Sequence, residues 1–358
     1  MILLNTLVFL AGTTLVIVAL ISAVRTLVLP RGARDLITHA VFRLMWMVFA
    51  PLIRLARTYE RRDRIMALYA PFTLMLLPVT WLIFALLGYM LMYWAVGVRP
   101  IADAILLSGS SLFTLGFAQA DTTFLHILIF TEAAIGLGMV ALLIAYLPTM
   151  YNAFSHREEA VSMLEVRAGS PPSAEEWIKR GYRNGWLEDI GEQLGIWEVW
   201  FAVLEESHTS LSPLVFFRSP EPDRSWITAS GAVLDTAAIM LSAVDREFDR
   251  MNAMLCLRAG YLALMRISDV CGIDYESDPL FPDHPISISR EEFDAACDSL
   301  SREGVPIKSD LDQAWLDFAG WRVNYDEPLI ALAALIRAPY APWSSDRSVR
   351  GMHVMSPG

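Results

Sequence analysis

Three long stretches without a charged side chain constrain this fold more than any other feature. They cover residues 2–24, 65–98 and 104–120. The first two exceed the roughly 20 apolar residues that cross a bilayer core as a helix, whereas the third is too short to cross and return as two helices. With 55% hydrophobic and 19% charged residues, the chain is too apolar for an ordinary soluble protein. We therefore expect a membrane protein, with membrane lipid around its apolar helices.

Charge divides the chain into two halves. Residues 1–157 carry a net charge of +5, whereas residues 158–358 carry a net charge of −16. So acidic a half is not expected to bind nucleic acid, because it would repel the phosphates. Nine arginines follow the first apolar stretch: Arg25, Arg31, Arg34, Arg43, Arg54, Arg57, Arg61, Arg62 and Arg64. Such an excess marks the cytoplasmic side. We expect a multi-pass plasma-membrane protein with its N-terminus outside and its C-terminal domain in the cytoplasm.

The apolar residues 36–53 allow two interpretations. His39, Arg43 and Pro51 interrupt them, which favours a helix that lies along the inner leaflet. A crossing helix is the alternative, and it would reverse the orientation of the N-terminus or of the segments that follow. We predict an N-terminal transmembrane helix over residues 1–28 and an Arg-rich interfacial segment over residues 29–64.

The central part of the chain has the layout of a re-entrant loop. Residues 65–97 can span the membrane, with Pro71 and Pro78 as bends, and residues 122–147 can span it again. The short uncharged segment between them must return to the side of the membrane from which it enters. Non-helical backbone at membrane depth is tolerated only where protein or a water-filled cavity satisfies it. We also expect Tyr89, Tyr93 and Trp94 to form an aromatic belt at the outer surface.

The short segment contains the sequence Ser108-Gly109-Ser110-Ser111-Leu112-Phe113-Thr114-Leu115-Gly116-Phe117-Ala118. A dehydrated cation needs a ring of oxygens in place of its water, and extended strands with inward carbonyls supply such rings. Glycine permits the left-handed backbone that this requires, and Gly116 meets that need. These residues resemble the pore helix and selectivity filter of the potassium channel superfamily, whose filter has the pattern T-V-G-Y-G. Gly138 stands 22 positions after Gly116, as does the hinge glycine of simple channels in that family.

The resemblance implies an all-α pore module over residues 65–154. Its parts would be an outer helix 65–97, a pore helix 101–112, a filter 114–118 and an inner helix 122–150. Potassium or sodium would be coordinated by the carbonyls of Thr114, Leu115, Gly116 and Phe117, with Ala118 closing the filter and no cofactor besides the permeant cation. Filter support would come from Ser110, Ser111 and Glu132, and the hinge or gate from Gly136, Gly138 and Pro148. Glu132 could instead contact the ion, and Pro148 could instead mark a helix end.

The sequence departs from the family pattern around the filter. Ala118 replaces the last glycine, so a left-handed backbone there would cost about 1–2 kcal/mol per subunit. Phe117 lacks the phenolic hydroxyl of tyrosine, Leu106 and Leu107 replace bracing aromatics, and Gln119 replaces an aspartate. These changes predict a looser filter, with potassium selectivity less certain than conduction.

One chain supplies one such loop, so a closed ring of carbonyls requires a homotetramer. The alternative is a non-conducting, membrane-anchored interaction protein that keeps a degenerate pore loop. An enzyme is not expected, because no HExxH, GxSxG or Walker motif is present. Gly136 to Ala141 fits G-x-G-x-x-A, but no strand precedes it, and we reject a dinucleotide site.

The acidic half is predicted to be a helical cytoplasmic domain over residues 173–340. A linker, 155–172, precedes it and a disordered tail, 341–358, follows. Ser173–Glu176 and Ser289–Glu292 fit capping boxes, and residues 229–269 form one long apolar-periodic stretch. Core residues are predicted to include Trp186, Trp197, Trp200 and Trp226. The three cysteines, Cys256, Cys271 and Cys297, lack CxxC spacing and are expected to be reduced structural residues. No sequence motif in this domain indicates a ligand.

Overall fold

The computed structural model describes residues 1–27 and 35–347. Within these ranges the chain forms twelve α-helices and one short 3-10 helix, Ser212–Phe216, without a strand. The α-helices are α1 (Ile2–Leu27), α2 (Leu36–Leu55), α3 (Tyr59–Val96), α4 (Ile101–Leu112), α5 (Thr123–Ala168), α6 (Ala174–Arg183), α7 (Ile190–Ser210), α8 (Trp226–Ser242), α9 (Arg250–Cys271), α10 (Arg290–Arg302), α11 (Leu311–Arg322) and α12 (Asp326–Leu335). The predicted all-α class is confirmed. The predicted boundary between residues 28 and 29 lies outside the described residues.

Four helices, α1, α2, α3 and α5, are long and apolar enough to cross a membrane. The length and apolar composition of these four helices indicate a membrane protein. Because α2 meets the same criteria as the other three, the interfacial orientation of residues 36–53 stays a prediction.

The chain divides into two compact units. The first contains Met1–Leu55 and Leu68–Asn152, and the second contains Ala56–Ala67 and residues 153–347. Helices α3 and α5 therefore each contribute residues to both units. Helix α3 begins six residues before the predicted start at residue 65, and α5 continues to Ala168.

Helix α5 passes through Pro148 without a break. The alternative prediction that Pro148 marks a helix end is therefore wrong, and residues 155–168 of the predicted linker are helical. A proline inside a helix removes one backbone hydrogen bond, and the many bonds of a 46-residue helix compensate for that loss.

In the first unit, glycines bring α1 and α3 close together. A Cβ atom on Gly12 would lie 2.4 Å from the carbonyl oxygen of Gly88. Further along α1, Ser22 accepts a hydrogen bond from the Trp81 ring nitrogen (2.8 Å) and donates one to Asp35 Oδ2 (2.6 Å). Asp35 also accepts from the backbone N–H of Thr38 (2.8 Å) at the start of α2. Close backbone approach and a small polar cluster thus hold α1, α2 and α3 together.

In the second unit, α8 forms the centre of a helical core. All 17 of its residues are buried, and α6, α7, α9, α11 and α12 pack around it. Trp197, Trp200 and Trp226 lie in this core as predicted, while Trp186 is half-buried against it. The predicted stretch 229–269 is not one helix, since residues 243–249 separate α8 from α9 and the Asp249 side chain caps the start of α9. Ser289 and Glu292 form a complete capping box at α10.

A buried ionic network fixes the end of this unit. Arg322 is fully buried, and its guanidinium donates to Asp235 (2.6 Å), to Asp326 (2.6 Å) and to the carbonyl of Trp343 (2.6 Å). The two carboxylates raise the pKa of Arg322. The prediction of a disordered tail from residue 341 is therefore wrong for residues 341–347, which pack against the domain. Residues 348–358 lie outside the described residues.

Candidate functional site

The candidate site is the loop that follows α4. Helix α4 begins after Pro100 and has 12 residues, about 18 Å of length, which is too short to cross a bilayer core. It covers the range predicted for the pore helix. At its C-terminal end the backbone turns through two residues with positive φ, Thr114 (54°) and Gly116 (71°). A β-branched residue rarely adopts this conformation, so Thr114 is held there by its surroundings.

Backbone N–H groups of the loop bond to α4. The carbonyl of Ser110 accepts from Leu115 N (2.8 Å) and, at longer distance, from Gly116 N (3.4 Å). The hydroxyl of Ser110 accepts from Ala118 N (3.2 Å). One serine therefore binds three of the loop's amides.

The loop's carbonyl groups are used differently. Among the described residues, no hydrogen bond reaches the carbonyl oxygens of residues 114–117. Because most of its amides are occupied and these carbonyls are not, the loop has a row of available oxygen ligands. Cations are the species that such oxygens coordinate. The left-handed backbone expected at Ala118 is absent, and Thr114 has it instead.

Glu132 joins three helices behind the loop. Its side chain, in α5, is fully buried. Oε1 accepts from the hydroxyl of Ser108 in α4 (2.5 Å), and Oε2 accepts from the hydroxyl of Tyr93 in α3 (2.8 Å). Next to it, Tyr89 donates to the hydroxyl of Thr131 (3.1 Å). This is the geometry of a structural brace rather than of a side chain open to an ion.

The other predicted support and hinge residues differ in their surroundings. The hydroxyl of Ser111 bonds back to the carbonyl of Leu107 (2.7 Å) within α4, while its backbone carbonyl accepts from Thr114 N (3.0 Å). A Cβ atom on Gly136 would lie 2.1 Å from the carbonyl oxygen of Leu112, whereas one on Gly138 would meet open space. Gly136 is thus a packing contact between α5 and α4.

Two contributors, Ser108 and Tyr93, were not among the predicted site residues. The sequence assigned Tyr93 to an aromatic belt, but its side chain is fully buried and so is most of Tyr89. The sequence did contain a signal for this contact. One apolar helix has two tyrosines one helical turn apart, and another has a lone glutamate.

In the second unit, one segment contacts both long helices. The guanidinium of Arg157, in α5, is buried and donates to the carbonyls of Leu214 (2.9 Å) and Phe217 (2.8 Å). The neighbouring Arg218 forms an ion pair with Asp63 of α3 and donates to the hydroxyl of Tyr59 (3.1 Å). Residues 214–218 therefore hold the first turns of α3 and the last part of α5.

Neither a metal-binding cluster nor a reactive thiol appears in the part of the chain that the structure describes. Groups of His, Cys, Asp or Glu able to hold a metal ion are absent from it. Its three cysteines are free, and burial raises the pKa of Cys271 and of Cys297 to about 12. Neutral, buried thiols of this kind are poor nucleophiles.

Comparison with known proteins identified no relative. No protein-family model matches the chain, and neither a curated protein nor a solved structure matches it. The resemblance to potassium channels therefore rests on the residues of the loop and of α5 alone.

Proposed function

We propose that four copies of this chain form a cation channel of the potassium-channel type, in which the carbonyl oxygens of residues 114–117 replace the water around a passing monovalent cation. The observation that carries the proposal is the hydrogen bonding of the loop. Three of its amides, those of Leu115, Gly116 and Ala118, bond to Ser110, and the carbonyls of residues 114–117 accept no bond from the described residues. The backbone at Thr114 and Gly116 has positive φ, as a run of carbonyls that all point to one side requires.

The helix before the loop favours the same ion. The C-terminal end of an α-helix carries a partial negative charge, and the loop follows the C-terminal end of α4 directly. Cations near that end are stabilised, while anions are repelled. No side-chain charge in the loop is needed for this effect, and residues 104–120 contain none.

The surface of α5 supports assembly with further copies. Phe130, Leu137, Ile144 and Tyr151 recur every seven residues, and each side chain is 66–68% exposed in the single chain. Residues with this spacing lie on one face of a helix. In the proposed homotetramer, parts of this face line the pore or contact neighbouring copies, and lipid covers the rest.

The orientation is part of the proposal. The arginine-rich residues between α1 and α3 would lie in the cytoplasm of a cell with the protein in its plasma membrane. The N-terminus would then lie outside, and the second unit would lie inside as a regulatory or assembly domain. Its ionic core and acidic surface fit an aqueous environment.

Single-channel recording of the purified chain in lipid bilayers tests this function. We expect cation currents from the native chain and none from Gly116→Pro, because proline cannot adopt positive φ and lacks the N–H that bonds to Ser110. Gly320→Ala, in α11 of the second unit, is the control, since a Cβ there meets open space and the residue lies outside the proposed pore module. If the native chain gives no current in lipid bilayers, the alternative is favoured, namely a non-conducting, membrane-anchored interaction protein. Currents that survive Gly116→Pro would place the pore elsewhere.

A further inference from the structure

The N-terminus of α8 is buried in the second unit. Trp226, Ile227 and Thr228 form its first turn, and all three are buried. The first amides of a helix have no acceptor within the helix and need a partner from outside it. Ser225 occupies the N-cap position with an extended backbone, but its side chain makes no capping hydrogen bond. This helix end therefore has unused donors and the positive end of the helix dipole.

A small recess lies at the same place. Its lining includes Ser219, Ser225 and Trp226, together with the apolar side of Ile336 and Pro339. The Ser219 side chain is 6% exposed, and its hydroxyl has no hydrogen-bond partner among the described residues. Buried hydroxyls normally have a partner. Ser219, whose hydroxyl lacks a partner, and Trp226, the first residue of α8, both line this recess.

The charged residues of the recess favour an anion. Arg218 and Arg224 belong to its lining, whereas no Asp or Glu does. Both arginines have carboxylate partners outside the lining, Asp63 and Glu165, so they keep their places without filling the recess. A cation would meet two guanidinium groups and no carboxylate.

We propose that this recess binds one small inorganic anion of halide size, such as chloride. The Ser219 hydroxyl and the first amides of α8 would donate to it, and the two arginines would provide a favourable field. The cavity volume of about 10 Å³ has room for one water-sized group, which excludes phosphate esters and nucleotides.

The place of the recess indicates what the anion stabilises. Phe217 and Arg218 line it, and these residues also bond to Arg157 of α5 and Asp63 of α3. A bound anion would hold this segment in the conformation that makes both contacts. The binding site itself does not depend on the proposed channel activity.

Thermal unfolding of the full-length chain in detergent tests the proposal. Sodium chloride or bromide is compared with sodium gluconate at equal ionic strength, because gluconate is too large for the recess. We expect halide to raise Tm by about 2 °C or more. An equal Tm in halide and gluconate would overturn the proposal and leave water as the occupant.

A matched pair of variants separates site binding from general salt effects. Ser219→Ala should lose the halide-dependent shift. Ser268→Ala should keep it, because Ser268 is a second buried serine whose hydroxyl has no partner, and it lies in α9 outside the recess. Equal shifts in both variants would contradict the assignment. If Ser219→Ala does not fold, crystals of the native chain in bromide decide the question, since anomalous signal must appear beside Ser219.

Discussion

Glu132 is the residue on which the arrangement behind the loop depends. A carboxyl group inside an apolar helix is costly unless it is hydrogen-bonded. Here both of its oxygens accept from hydroxyls, one on α4 and one on α3. The cost of burial is offset only while these bonds persist, so they tie α4 to the two long helices, α3 and α5.

We predict that Glu132→Ala destabilises the protein by about 2–4 kcal/mol, because the buried Tyr93 hydroxyl loses its acceptor, the Ser108 hydroxyl keeps only the carbonyl of Leu86, and a cavity opens. Glu132→Gln should cost less than about 1.5 kcal/mol, since its amide can accept from Tyr93 and donate to Ser108. Thermal unfolding in detergent measures both. An equal loss of stability in Glu132→Gln and Glu132→Ala would show that these two hydrogen bonds do not contribute to stability.

The predicted loosening of the proposed filter can be tested at one position, Ala118. Ala118→Gly restores the glycine that the resemblance implies and gives this position access to left-handed backbone. We expect potassium to be preferred more strongly over sodium, seen as a shift of the reversal potential under bi-ionic conditions. Conductance should remain. An unchanged reversal potential would count against the looser filter.

At this scale the sequence revealed the polar residues but not their partners. Glu132 stands out as the only acidic residue between Asp121 and Asn152, so its importance was predictable. Its bond to Tyr93 joins positions 39 residues apart in two helices. The rotation and depth of both helices decide that contact, and neither follows from the pattern of one chain.

Among the elements, α4 and α5 approach each other closely at Gly136. Gly136 allows the α5 backbone to approach the carbonyl of Leu112 at the end of α4. The loop proposed as the filter starts two residues later, so the position of this contact sets where the loop begins.

Two glycines of α5 therefore predict opposite outcomes. Gly136→Ala should destabilise the protein by about 1–3 kcal/mol, because its Cβ would overlap the Leu112 carbonyl. Gly138→Ala should be neutral or stabilising by up to about 1 kcal/mol, since alanine favours a helix and meets no neighbour. Thermal unfolding of the two variants side by side decides this. The reverse order would contradict the packing described.

The segment 214–218 connects α3 and α5, and this predicts a gating phenotype. Arg218→Ala removes the ion pair with Asp63 and should raise hydrogen exchange over residues 59–67. In recordings it should change the open probability and leave the single-channel conductance alone. Arg266→Ala, which removes an exposed pair with Glu205, is the control and should change neither quantity. If hydrogen exchange over residues 59–67 is unchanged in Arg218→Ala, the segment 214–218 does not hold α3 as described.

Element boundaries were predictable where a local signal marks them. Pro100 and the turn after Leu112 bound α4, and Ser289 and Glu292 cap α10. Local signals failed at Pro148 and between α8 and α9. Proline is only a weak stop inside a long apolar helix, and the periodic pattern of residues 229–269 continues across a break that Asp249 makes by capping α9. Residues 341–347 are ordered by Arg322, which no local pattern shows.

For the whole molecule, the division of charge in the sequence follows the two compact units only in part, because residues 56–67, which carry four of the arginines, belong to the second unit with the acidic half. The arginine-rich half contains the four apolar helices, and the acidic half contains the ionic network of Arg322. The membrane class followed from composition and hydropathy alone. The number of copies did not, because one chain carries one loop and no repeat.

The structure of the assembly in potassium solution tests the central claim most directly. We predict four chains around one axis, with the carbonyl oxygens of residues 114–117 facing that axis and ion density between them. Assemblies with fewer chains around the axis, or loops whose carbonyl oxygens turn away from it, would contradict the channel.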